Sequence, residues 1–297
     1  MKAGLQDKDK QLLFFGLWCL LSVAVFWKPC LDLVRFSLSN DHASHVLLIP
    51  LITGWLIYTE QKKVFQNISI NYSLALVPFA FATAVSLWTL RNPISWAPGN
   101  QLAAYVTALV LFWISGFIFF FGGTAARNAR FALLLLFMTV PLPEFLLNYV
   151  IYGLQKGSAD IAEMIFDLAG VPALREGFVF HLAHVNIEVA KECSGIRSSL
   201  ALLILALLVG HLLLKTFWKQ AAFVLAGLVI MMVKNGVRIA TLTILAQYVD
   251  PSFLFGRLHH DGGIVFFLLG LVLLLPILWL LERSEKPAER MAKSPAA

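Results

Sequence analysis

Eight apolar runs divide this chain and constrain its fold more than any other feature: Gln11 to Trp27, Val46 to Tyr58, Leu74 to Leu90, Leu102 to Phe121, Ala129 to about Leu147, Ile196 to Leu214, Gln220 to Leu245 and Ile264 to Leu281. A run of roughly 20 residues with few charges matches the hydrocarbon thickness of a bilayer. A backbone inside lipid must satisfy its own hydrogen bonds, which a helix does within one segment. The expected fold is an all-α polytopic membrane protein with about eight transmembrane helices. Of the 297 residues 59% are hydrophobic and only 13% are charged, against about a quarter charged in a soluble domain. A soluble enzyme core and a disordered chain are both excluded. Two spans are less regular than the rest: the second is short unless it begins near Ala43, and Pro141 and Pro143 interrupt the fifth.

The formal net charge is +6, but the 23 Lys and Arg residues stand in ones and twos between the apolar runs. That is the distribution of a membrane topology, not of a nucleic-acid surface. With the N-terminus inside, Lys62 and Lys63, Arg127 and Arg130, Lys215 and Lys219, then Arg283, Lys286, Arg290 and Lys293 all fall on the cytoplasmic side. Both termini are therefore expected in the cytoplasm. The segment from Met1 to Lys10 is polar, and no small-residue cleavage signature follows, so the first run reads as a retained span. One integral-membrane domain is expected over residues 1–297, with its core at 11–281 and a solvated tail at 282–297.

The longest connection, Pro141 to Gly195, lies on the outer face and is too varied to be a simple loop. Leu154, Ile161, Ile165 and Leu168 recur at helical spacing beside Lys156, Asp160, Glu163 and Asp167, which predicts an amphipathic helix at the membrane surface, ended by Gly170 and Pro172. After Gly177 the period becomes two. Phe178, Phe180 and Leu182, then Val185, Ile187 and Val189, predict a short β-hairpin leading through Lys191 and Glu192 to Cys193.

Three polar sites interrupt this pattern. Cys193 stands at the outer mouth of the sixth span, ahead of Gly195 and Arg197; a helix N-terminus and a nearby guanidinium both favour the nucleophilic thiolate. A buried inert cysteine, or a disulfide to Cys30, is the alternative reading. Arg238 lies about eight residues before the outer end of the seventh run, roughly 12 Å deep. There it costs on the order of 2.5–3.5 kcal/mol and must meet a polar partner, unless it snorkels outward. Asn235 is one turn earlier, with Lys234 adjacent. His259 and His260, followed by Asp261, Gly262 and Gly263, open the eighth span. His42, His45, His181 and His184 are assigned to the same outer face, so six of the seven histidines share one side. No HExxH motif or carboxylate triad accompanies them, and neither a metal nor a cofactor is expected. A thiol, a buried cation and an imidazole at one depth describe a cysteine acyl-transfer site.

With those residues in place, the sequence resembles the exosortase/archaeosortase family of membrane cysteine transpeptidases. Glu192-Cys193-Ser194-Gly195-Ile196-Arg197-Ser198 matches the family's cysteine motif, Asn235-Gly236-Val237-Arg238 its Asn-x-x-Arg motif, and His259-His260-Asp261-Gly262-Gly263 its His-x-x-x-Gly motif. A weaker match, Ser44-His45-Val46-Leu47-Leu48-Ile49-Pro50, resembles the segment that opens the second span. The resemblance implies Cys193 as nucleophile, His259 as general base and acid, with His260 its rival, and Arg238 as the group that positions the substrate carbonyl or stabilises its oxyanion. Arg197, Asn235, His260 and His45 are the supporting candidates.

The implied substrates are exported proteins carrying a short C-terminal motif such as Pro-Glu-Pro, then a transmembrane helix, then a basic cluster. The implied reaction is cleavage at the outer face of the cytoplasmic (inner) membrane through a thioacyl enzyme, with transfer to an amine acceptor of unknown identity, and membrane lipid as the only other partner. A secondary transporter and a noncatalytic factor in polysaccharide or envelope export are the competing functions. No internal repeat supports a transporter.

Overall fold

The computed structural model describes residues 2–92, 98–191, 195–254 and 263–293. It is a helical, multi-pass membrane protein. The chain forms α1 (Lys2–Val25), α2 (Trp27–Ser39), α3 (Ile49–Thr59), α4 (Gln61–Val64), α5 (Tyr72–Arg91), α6 (Pro98–Asn128), α7 (Arg130–Leu135), α8 (Glu144–Leu168), α9 (Ile196–Leu213), α10 (Phe217–Tyr248) and α11 (Gly263–Lys293). Its contacts divide it into two compact units, Met1–Leu147 and Asn148–Ala297.

Each apolar run contains helix, but not every run is one unbroken helix long enough to span. Among the described residues five helices are long and apolar enough to cross a membrane, or up to seven if each of two bent pairs is one span. The shortfall has physical causes. The first run breaks at Phe26, where α1 and α2 meet at 81°. The fifth breaks at the Pro141 to Pro143 segment with a 95° bend between residues 130–139 and α8, because proline removes a backbone donor and crowds the preceding turn. Helix α3 has 11 residues, about 16 Å of rise against a hydrocarbon core of about 30 Å.

In the first unit α1, α5 and α6 pack around aromatic side chains. Phe15, Phe65, Phe117 and Phe121 make edge and tilted ring contacts with centroids 4.8–6.2 Å apart. Gly122 breaks α6 at φ 86°, and a Cβ there would collide with the Ser69 carbonyl, so glycine is what lets the 66–71 connection lie against this helix.

In the second unit α9, α10 and α11 bury Leu202, Ala206, Phe223, Ile230, Met231 and Leu274 against one another. The helix and strand segment between Pro141 and Gly195 also differs in detail from expectation. Helix α8 begins at Glu144, so it takes the residues assigned to the end of the fifth span as well as the amphipathic stretch. The predicted hairpin is present and gains a third strand: β1 (Leu174–Glu176), β2 (Val179–His181) and β3 (Asn186–Glu188) form an antiparallel meander in which Arg175 faces Phe180 and Phe180 faces Ile187. Gly177, at φ 65°, makes the tight turn between β1 and β2. Phe180 is fully buried and meets Phe166 of α8 edge-on at 5.3 Å. This short sheet seats on α8 and α10 through Ala159, Ala162, Val171, Val189, Ile239 and Ala240.

Candidate functional site

Arg175 ties β1 to α8. Its Nη1 donates to Asp160 Oδ1 at 2.8 Å and to Glu163 Oε2 at 2.6 Å, while its Nε donates to the Gly177 carbonyl. Partial burial opposes the guanidinium charge, but the bonds and charges of the two carboxylates outweigh it and raise the Arg175 pKa. Further along, Gln155 of α8 is buried and donates to the Val189 carbonyl at 2.7 Å. The strand exit that leads toward residue 193 is therefore tied to α8 four residues before that position.

A second set of contacts begins two residues after it. Gly195 caps α9 at φ 67°, ψ 22°, a left-handed conformation that favours glycine. There is also no room for a side chain. A Cβ on Gly195 would lie 2.7 Å from Asn235 Oδ1 and 3.7 Å from Lys234 Nζ. Asn235, 1% exposed, donates from Nδ2 to the hydroxyl of fully buried Ser158 on α8 at 3.0 Å. Lys234, 2% exposed, donates from Nζ to Ser198 Oγ at 2.6 Å, and Ser198 in turn donates to the Gly195 carbonyl at 3.0 Å. Close approach of α8 and α10 makes this geometry available: a Cβ at Gly236 would lie 2.6 Å from Ile161 Cγ2, and one at Gly157 would meet Met232.

Of the residues singled out from sequence, the structure thus brings Asn235 onto the Gly195 turn of the cysteine motif. Arg238 lies one turn beyond Lys234 on the same face of α10, half-buried, and Arg197 is exposed in the first turn of α9. Arg238 is ten residues from the end of α10, about 15 Å along the helix axis. The N-terminal dipole of α9, the Lys234 ammonium and the guanidinium of Arg197 all contribute positive potential at this end of α9, which favours an anion there. Cys193, His259 and His260 lie outside the described residues, as do Glu192, Ser194 and Asp261.

His45 belongs to the first unit, half-buried in the turn before α3 and bonded to the backbone of Met138. The other expected outer histidines have structural contacts. His42 stands edge-on to Phe36, and His181 Nδ1 is 3.1 Å from Asn186 Oδ1 with its Nε2 3.7 Å from Glu176. Among the described residues no group of three His, Cys, Asp or Glu side chains is placed to hold a metal ion. Cys30 is a free thiol packed in the first unit.

Sequence reasoning passed over Ser158, Gln155 and Ser198 and left Lys234 without a role. Lys234 carried a signal, since a charge inside an apolar run needs a reason. Ser158 carried none, because a serine on an amphipathic helix is ordinary.

A family model described as transmembrane exosortase matches residues 37–276 of this chain. No curated protein matches it, and no solved structure does.

Proposed function

The chain belongs to the transmembrane exosortase family, and from that premise we propose that it is a membrane-embedded cysteine protease or transpeptidase that removes C-terminal sorting signals from exported proteins at the outer face of the cytoplasmic membrane. Family membership supports the membrane transpeptidase or protease role in general. The finer reading is supported by one observation: the Gly195 to Ser198 part of the cysteine motif meets the start of the second motif, with Asn235 against Gly195 and its neighbour Lys234 donating to Ser198, 36 residues away.

In this reading His259 takes the proton of Cys193, and the thiolate attacks the scissile carbonyl carbon of the substrate. The carbonyl π pair moves onto oxygen, where the Arg238 guanidinium stabilises it. Collapse breaks the C–N bond, His259 returns its proton to the departing amine, and the upstream part of the substrate remains as a thioester on Cys193. An amine acceptor or water, deprotonated by the same imidazole, then releases it. The substrate is an exported protein with a short acidic motif, a transmembrane helix and a basic tail. The positive end of α9 and Arg238 suit an acidic motif beside the scissile bond.

The test is processing of a tailed substrate in membranes, with mass spectrometry of the enzyme. Cys193→Ala is expected to leave the substrate intact, and the parent to carry an acyl adduct on Cys193. Full processing by Cys193→Ala, or an adduct elsewhere, removes the thiol mechanism. Reporter fusions test the sidedness: a fusion after Lys62 should report the cytoplasm, and one after Gly170 the outer face.

A further inference from the structure

We propose that Lys234 is a positioning residue for the Cys193 thiol, acting through Ser198 and the Gly195 turn; this rests on Cys193 being the nucleophile. An ammonium inside a membrane span costs on the order of 2.5–3.5 kcal/mol, and Lys234 is almost fully buried. Among the described residues its hydrogen bond goes to the Ser198 hydroxyl at 2.6 Å. The surroundings are built to admit it. Gly270 of α11 lies beside the alkyl stem, where a Cβ would be in van der Waals contact with Lys234 Cδ at 3.4 Å.

The bond directions decide what this pair does. Lys234 donates to Ser198 Oγ, and the Ser198 proton is engaged with the Gly195 carbonyl, so the hydroxyl relays a hold on the backbone and is not poised as a nucleophile. The Gly195 carbonyl also accepts from Ser199 N at 2.9 Å. Asn235 closes the other side of the same residue and is itself fixed by Ser158. Upstream, Gln155 fixes the Val189 carbonyl. Val189 and Gly195, which lie on either side of Cys193 in the sequence, are thus each held by buried polar side chains of α8 or α10. At the downstream end the hold comes from a charged donor, which makes the stronger kind of hydrogen bond. Misplacing a reacting group by about 1 Å can cost 10²-fold in rate, so a firm hold on this turn bears directly on turnover.

Full-length enzyme in membranes is assayed with a tailed peptide substrate, and alkylation of Cys193 by iodoacetamide is followed against pH by peptide mass spectrometry, which separates Cys193 from Cys19 and Cys30. Among the described residues Arg238, whose charge acts on Lys234, and Arg197 in the first turn of α9 are the other cations of this region, and both are retained. Lys234→Met is expected to lower turnover at least about tenfold with KM little changed, and to move the alkylation midpoint of Cys193 to higher pH, because the Gly195 turn that follows the cysteine loses its hold and a positive charge is removed from this end of α9. Ser198→Ala is expected to move both in the same direction by less, and the double variant to be no worse than Lys234→Met alone, since both changes cut one link. A folded Lys234→Met enzyme with parental turnover and alkylation profile overturns the proposal. If that variant fails to fold, an unchanged Ser198→Ala profile overturns it. Full processing by Cys193→Ala would instead overturn the nucleophile assignment, whatever the profiles.

Discussion

The two compact units of this protein bury different kinds of polar side chain. Among the described residues of the first unit every buried polar side chain is a hydroxyl: Ser22, Ser37, Thr53, Thr89, Ser115 and Thr139. Five of these donate to backbone carbonyls, as Ser115 does to Ala75 at 2.9 Å. Such bonds add packing without demanding a particular chemistry. The second unit buries Gln155, Lys234, Asn235 and Glu285 as well. Amide and charged groups are far more costly to withdraw from water than hydroxyls. A protein that places them inside a bundle needs them there, and three of the four contact Val189, Gly195 or Ser198. The first unit is built by aromatic packing, and the second holds the residues proposed to carry the chemistry.

The comparison is broken or sharpened by changes in each unit, and the largest effects belong to the second. His259→Ala should lower processing by about 10²–10⁴-fold, the usual worth of a positioned acid and base, measured as initial rate on a tailed peptide. His260→Ala should be much milder, and the reverse ranking would transfer the role to His260. Arg238→Lys should fold and process about 10²-fold more slowly, because an ammonium cannot offer two parallel donors to one oxyanion; a rate close to the parent's would make Arg238 a structural residue.

Next comes the first unit. Phe117→Ala should lower stability by on the order of 2 kcal/mol, less than in an aqueous core because lipid replaces water and the cavity remains the main loss. Processing per folded molecule should stay at the parental level, so a thermal-shift assay moves and the normalised rate does not. A fall in normalised rate would erase the division of labour between the units. The smallest effect is expected at Arg175→Met. Its carboxylate partners Asp160 and Glu163 are about half exposed, so the loss should be about 1 kcal/mol or less and should shrink further at high salt.

Local patterns made much of this protein legible. All eight apolar runs form helix, the switch to a period of two at Phe178 forms strand, and the prolines at 141 and 143 mark a break in the chain. The cysteine, Asn-x-x-Arg and His-x-x-x-Gly motifs pointed to the family that the match over residues 37–276 establishes. The number of full spans was less legible. Hydropathy reports that a segment belongs in lipid but carries little information about a bend, and Phe26 carries no helix-breaking signal at all.

What the sequence determined by itself is therefore everything written along one stretch of chain: membrane residence, helix and strand periods, and the short motifs. Pairings across the chain were decided only in three dimensions. No spacing rule links Ser158 to Asn235 or Lys234 to Ser198, because those bonds depend on how closely two helices approach. That approach is set by Gly157 and Gly236, where a missing side chain lets α8 and α10 come into contact. A glycine in a sequence does not say which helix will use the space it leaves, so the clamp on the Gly195 turn became visible only with the fold.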